Sequence, residues 1–197
     1  MIIFKNNICF IILMTNKTTI PGLAAITLTA MLVVSMIMTP ALASGGYLAI
    51  DDTHVKAKKN HLDIKIKTEG KIPLDGSAGA FGYAVLTGGF NNVLVLVTHL
   101  GLDDSTHEDP VSGFHTHVLD LMAPSTSCAT YDAEVDLVNS GLNSAFDADY
   151  DWKIHGEDAS IKHVPISELG GSDVQGIVSF TVTPIVDTGL HLCVDVQ

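Results

Sequence analysis

The chain has 197 residues, with ten lysines, no arginine and 22 acidic residues, and its formal net charge is −12 at pH 7. Nucleic acid is excluded as an expected partner, because phosphate binding requires a positively charged surface. Cations are the natural counter-charge of such a chain, although solubility in a salty exterior is the simpler explanation of its acidity.

Residues 1–43 differ from the rest of the chain. Most of residues 20–43 is apolar, with a lysine just upstream and an A-x-A triplet at the end. This pattern is typical of an export signal, so we predict cleavage before Ser44 and a secreted or cell-surface protein. The alternative is a retained membrane anchor, because about 20 apolar residues can span a bilayer. A second apolar segment precedes the basic one, which favours a true start at Met14.

Residues 44–197 have the length of one domain. Eight lysines and all 22 acidic residues lie here, which gives this part a net charge of −14. Most of its segments alternate apolar and polar residues, as strands do when one face lies in a core and the other in water. In chain order, the predicted strands include HLDIKIKTEG (61–70), GAFGYAVLT (79–87), NNVLVLVTHL (91–100), GFHTHVLDL (113–121), TYDAEVDLV (130–138) and TGLHLCVDV (188–196).

The segment NNVLVLVTHL is apolar on both faces and is therefore predicted to be a central, covered strand. It follows GAFGYAVLT across Gly88-Gly89, which suggests a hairpin. Turn signals separate the other segments, and only residues 140–149 suggest a short helical turn. About eight or nine short strands predict an all-β fold, either an antiparallel Greek-key β-sandwich or a flattened barrel.

Two cysteines remain after the predicted signal. Cys128 lies in a predicted loop and Cys193 in the last predicted strand. In an exported chain, such a pair favours a disulfide between the loop and the final strand. The alternative is that a cysteine serves as a thiolate metal ligand.

Nine histidines fall within residues 44–197, and His115 and His117 share one face of a predicted strand. Side chains at such positions are about 7 Å apart at the backbone. Two imidazoles at this spacing can converge on one ion, with metal–nitrogen distances of about 2.0–2.1 Å. Imidazole suits copper and zinc, so a copper or zinc site is one hypothesis. The alternative is a pair of polar residues on the wet face of a sheet.

Four further histidines are candidate ligands. His99 ends the preceding strand, and the acidic loop that contains His107 leads directly into the H-x-H strand. His155 and His163 are presented on later strands. The alternative for each is a surface histidine on a polar face.

The stretch Gly113-Phe114-His115-Thr116-His117 resembles the G-F-H-x-H strand of copper/zinc superoxide dismutases. Those enzymes are exported or cytosolic Greek-key β-barrels, and this strand supplies two of their copper ligands. They also carry a disulfide from a loop after the H-x-H strand to the last strand, and the two cysteines here fall in similar places. The resemblance implies copper at His115 and His117, with a further histidine such as His155 or His163.

The chain departs from that family in several respects. Neither the zinc-loop histidines nor the G-D-x-G-N stretch is recognisable, and the anion-steering arginine is absent. An acidic protein without that positive funnel would attract superoxide poorly. The resemblance therefore favours a metal-bearing sandwich over dismutation. CHRD-type extracellular β-domains, which also carry an H-x-H strand, are similar to the same degree.

Other catalytic and binding motifs are weaker. The sequence contains neither a G-x-S-x-G elbow nor an H-E-x-x-H helix. Asp147, Asp149 and Asp151 alternate as in a calcium loop but lack its glycine and glutamate, so we interpret them as a solvated turn, with weak calcium binding as the alternative. Three hypotheses remain: an exported β-sandwich that binds copper or zinc, a superoxide dismutase-like enzyme, and a structural or adhesive surface domain without a metal.

Overall fold

The computed structural model describes residues 46–88, 91–99, 104–171 and 173–197. The predicted signal of residues 1–43 and the proposed start at Met14 lie outside these residues. No helix within the described ranges has the length and apolar character needed to cross a membrane. The elements are β1 (Ile50–Lys58), β2 (His61–Thr68), β3 (Phe81–Leu86), β4 (Val93–Thr98), β5 (Phe114–Leu119), β6 (Leu121–Met122), β7 (Ala133–Val135), α1 (Leu137–Ser140), β8 (Asp151–His155), β9 (Asp158–Pro165), a 3-10 turn (Ile166–Glu168), β10 (Gly176–Val186) and β11 (Leu190–Val196).

The strands form two antiparallel sheets, which confirms the predicted all-β fold. One sheet has four strands in the order β1-β2-β9-β8, and the other has seven in the order β5-β4-β3-β10-β11-β7-β6. The seven-stranded sheet is a curled half-barrel. The described residues thus contain eleven strands rather than the predicted eight or nine. Part of the excess comes from β6, which has two residues and is too short to show a period.

The seven-stranded sheet is buried on both faces along β3, β4 and β5. One face packs against the four-stranded sheet, and the side chains of Phe81, Tyr83 and Phe114 there are at most 1% exposed. The opposite face carries a second apolar cluster that includes Val95 and Val97. Every residue of β4 is buried, which confirms the predicted covered strand. Burying each large apolar side chain contributes about 1.5–3 kcal/mol, so both faces contribute to stability.

Two local predictions were wrong. TYDAEVDLV forms a strand only over Ala133–Val135, and its Glu134 is 2% exposed instead of facing water. Glu134 is tolerated there because its carboxylate accepts hydrogen bonds from His191 and from the Ser125 backbone. The short helix lies at Leu137–Ser140, mostly before the expected 140–149, because the Asp136 side chain caps it by accepting from the Asn139 backbone.

The expected disulfide is present. Cys128 and Cys193 are bonded, with Cα atoms 5.4 Å apart, and the bond ties the loop before β7 to β11. Both sulfur atoms are therefore occupied, and the alternative of a thiolate metal ligand does not apply to them.

Candidate metal centre

Three histidines meet on one face of the β4–β5 hairpin. His115 and His117 lie opposite Val97 and Val95, so all four side chains point to the same side of the sheet. His99 follows β4 directly and continues the same face by the two-residue period. The side chains of His115 and His117 are 0% and 2% exposed, so the alternative of a wet sheet face is wrong.

The loop before β5 is held by its own polar groups. The carboxylate of Asp109 accepts hydrogen bonds from the backbones of Val111 and Ser112 and from the Ser112 hydroxyl, at 2.7–3.1 Å. These contacts lower the pKa of the Asp109 carboxyl. Gly113 then turns the chain into β5 with φ 69°, a left-handed conformation that glycine adopts without strain. The loop therefore delivers His115 to a fixed position.

Four ligand atoms converge at the end of the hairpin. His115 Nε2 lies 3.1 Å from His99 Nε2 and 3.0 Å from His117 Nε2. Asp104 Oδ1 lies 3.4–3.5 Å from all three nitrogens. A tetrahedral site with metal–ligand distances of 2.0–2.1 Å has edges of about 3.3–3.4 Å. These five separations are therefore close to those of a tetrahedral metal site, and the ligand nitrogens of His99 and His117 lie within 4.8 Å of each other.

Contacts outside this group fix the protonation of two rings. His115 Nδ1 lies 2.9 Å from the Gly113 carbonyl oxygen, and His117 Nδ1 lies 2.5 Å from that of Phe146. A carbonyl only accepts, so each Nδ1 carries a proton and donates it. In the neutral rings both Nε2 atoms then present lone pairs to each other across 3.0 Å. Such a contact is repulsive unless a cation lies between the two atoms, and the carbonyl contacts are those that commonly orient metal-binding histidines.

Charge in the cluster also favours a cation. Burial lowers the pKa of His99, which keeps that imidazole neutral. The cluster therefore places one carboxylate beside three imidazoles, and the Asp104 side chain is 33% exposed. Solvent reaches the group from the Asp104 side.

Residues 145–150 support two of the four ligands. Phe146 accepts the His117 hydrogen bond and stacks its ring on that imidazole, with centroids 4.6 Å apart. The Asp147 carboxylate accepts hydrogen bonds from the Ser105 hydroxyl at 2.6 Å and the Thr106 hydroxyl at 2.8 Å. Asp147 thus fastens the loop immediately after Asp104. Asp147 does lie in a half-exposed turn, and its partners lie on another loop, which the sequence did not indicate.

The structure brings His99, His115 and His117 together, and it places the other three candidates elsewhere. His107 is 40% exposed, and its Nδ1 lies 3.6 Å from the Asp149 carboxylate. His155 and His163 lie on β8 and β9 of the four-stranded sheet. The sequence analysis did not include Asp104 among the candidate ligands. The acidic stretch that follows His99 was the sequence feature that could have indicated it.

No family model, curated protein or solved structure matches the chain. The resemblance to copper/zinc superoxide dismutases is not tested by these comparisons and stays a prediction. The chemistry of the site must therefore be inferred from its own residues.

Proposed function

We propose that this protein is an exported β-sandwich that binds one zinc or copper ion through His99, Asp104, His115 and His117. The observation that carries the proposal is the convergence of His115 Nε2 and His117 Nε2 at 3.0 Å, while the Nδ1 atom of each ring contacts a backbone carbonyl oxygen. Three nitrogens and one carboxylate oxygen at near-tetrahedral spacing suit zinc better than the tetragonal preference of copper(II).

The ligand count supports a binding role over catalysis. Catalytic zinc sites keep one coordination position open for water or substrate, whereas structural sites fill all four positions with protein ligands. Here the protein offers four ligand atoms, all within 4.8 Å of one another. A superoxide dismutase-like activity would require one of them to leave.

The disulfide supports the export part of the proposal. Cys128 and Cys193 form a bond of the kind that persists in oxidising compartments outside the cytosol. N-terminal sequencing of the protein from its native cells tests this part. We expect the chain to begin at Ser44, and an intact segment 1–43 would contradict cleavage.

Metal titration of the purified full-length chain tests the site. We expect one tightly bound zinc ion, measured by competition with a chromophoric chelator, and its loss in the His115→Ala/His117→Ala variant. Asp104→Asn keeps the three buried histidines and should weaken zinc binding by more than about tenfold, since even outer-sphere substitutions cost that much. His107→Ala is the matched control, because it changes a nearby histidine outside the cluster, and it should bind as the parent does.

Two results would overturn the proposal. One is a folded parent protein that binds no zinc or copper tightly. The other is undiminished affinity in both the Asp104→Asn and the double-histidine variants. A cobalt(II)-loaded sample adds a geometric check, because tetrahedral cobalt(II) absorbs visible light much more strongly than the octahedral ion.

A further inference from the structure

A second group of metal-binding residue types lies on the four-stranded sheet. His61 and Asp63 are two residues apart on β2, and His163 lies on the neighbouring strand β9. The nitrogen and oxygen atoms that these residues can offer lie within 4.8 Å of one another. The His61 and His163 rings have centroids 5.5 Å apart and are tilted by 52°, so they are not stacked face to face.

A β-bulge brings His163 into this group. Leu62 pairs with Val164 and Ile64 pairs with Ile161, so two residues of β9 oppose the single residue Asp63. In a regular strand Lys162 and His163 would point to opposite faces, but here both are exposed. The bulge therefore turns His163 to the solvent side, beside His61 and Asp63.

The bulge holds His163 in an unfavourable conformation. Its φ is 60°, in the left-handed region that residues with a side chain rarely adopt. The Asp63 carboxylate accepts a hydrogen bond from the His163 backbone N–H at 3.2 Å, which helps to hold this turn. Such backbone outliers cluster at ligand-binding sites, where the strain positions a side chain.

We propose that His61, Asp63 and His163 form a second metal site, which takes zinc or copper(II) and leaves coordination positions open to solvent. Two imidazoles and a carboxylate are suitable ligands for both ions. The side chain of His163 is 66% exposed, so water or an external ligand can complete the coordination. This site lies on the other sheet from the buried centre and does not depend on the function proposed for that centre.

An internal competitor limits the affinity of the second site. The Lys58 ammonium contacts the Asp63 carboxylate and, mainly through this hydrogen bond, lowers the pKa of Asp63 to about 2. A metal ion must share or displace this ammonium. Removing the lysine charge should therefore strengthen metal binding, which is the opposite of what an unspecific loss of structure would do.

Copper(II) titration of the full-length chain, with the buried centre first saturated with zinc, tests this proposal by following histidine NMR signals. We expect a second equivalent that broadens the His61 and His163 signals. His163→Gly should abolish it, and glycine tolerates the positive φ. His54→Ala is the matched control, because it removes an exposed histidine from the neighbouring strand β1.

Lys58→Met should raise the copper affinity by up to about fivefold, the factor that corresponds to a typical exposed ion pair. Lys67→Met is its control, because Lys67 pairs with Asp51 at 3.1 Å away from these ligands. Absence of a second equivalent, its survival in His163→Gly, or an unchanged or lower affinity in Lys58→Met would overturn the proposal. The readout is the broadening of the His61 and His163 signals, whether or not the buried centre holds zinc, so failure here is distinguishable from failure of the buried centre.

Discussion

The two histidine clusters use the same chemical groups in different surroundings. In each cluster, two of the candidate ligands lie two residues apart on one strand. These are His115 and His117 on β5, and His61 and Asp63 on β2. His115 is fully buried and its ring is oriented by a backbone carbonyl, whereas His163 is 66% exposed. Burial limits water to the Asp104 side of the first cluster, whereas the second cluster is open to solvent at His163, so the surroundings decide the affinity.

The largest expected difference between the clusters is the effect of zinc on global stability. An ion that binds only the folded state stabilises that state by about 4 kcal/mol when its free concentration is about a thousand times the dissociation constant. Urea unfolding with zinc and with a chelator should show this increase for the parent and for His163→Gly. The increase should nearly vanish in Asp104→Asn. If Asp104→Asn and His163→Gly lost the zinc-dependent increase in stability to the same extent, the proposed difference between the clusters would be wrong.

A smaller difference should appear when an outer contact of the buried cluster is changed. Asp147→Asn weakens the hold on Ser105 and Thr106 and so loosens the loop that carries Asp104. We expect zinc affinity at the buried cluster to fall about tenfold, while the exposed cluster is unaffected. Asp149→Asn is the control, since that side chain is 68% exposed and contacts neither hydroxyl. The prediction fails if both variants bind zinc as the parent does.

The smallest expected effect concerns His191, which lies between two carboxylates and responds to pH rather than to a metal ion. His191 Nδ1 lies 2.6 Å from Glu134, and its Nε2 lies 3.1 Å from Asp187 in an ion-pair contact. The Glu134 hydrogen bond, followed by the nearby charges, raises the pKa of His191. Burial would raise the pKa of Glu134, but the hydrogen bonds from His191 and Ser125 lower it.

These shifts set the direction of a pH dependence. The contribution of His191 to stability is full below its usual pKa of 6.5 and is lost as pH rises through the raised value in the folded state. The contribution of Glu134 is present above its usual 4.5 and is lost as pH falls through the lowered value. Melting temperatures measured in chelator should therefore fall relative to those of His191→Gln as pH rises above 6.5. Parallel pH curves for the two proteins would contradict this.

Sequence periodicity was sufficient for the parts of the fold that it governs directly. The alternation in β2 and the apolar residues on both faces of β4 match the structure. A strand buried on one face alternates apolar and polar residues, and a strand buried on both faces is apolar throughout. The common face of His115 and His117 follows from the same period. Glu134 broke the pattern because its partner His191 lies 57 residues away, on a strand that sequence reasoning could not place beside it.

The remaining parts of both clusters depend on long-range contacts. Asp104 reaches the histidines from a loop whose next residue, Ser105, is held by Asp147, 42 residues further along the chain. His163 joins Asp63 through a change of register between β2 and β9. Neither a loop conformation nor a bulge leaves a periodic signal, so the sequence showed the residue types without their arrangement.

The segment of residues 145–150 also covers an edge of the protein. β5 ends the seven-stranded sheet, and on its free side Val118 N–H donates to the Ala145 carbonyl and the Thr116 hydroxyl to that of Ala148. Uncovered edge strands pair with other chains and promote aggregation. His117 contacts the Phe146 carbonyl oxygen in the same segment, so a residue of the candidate metal centre also helps to hold this cover in place. A substitution that removes this contact would loosen the cover over β5 and make the chain prone to self-association.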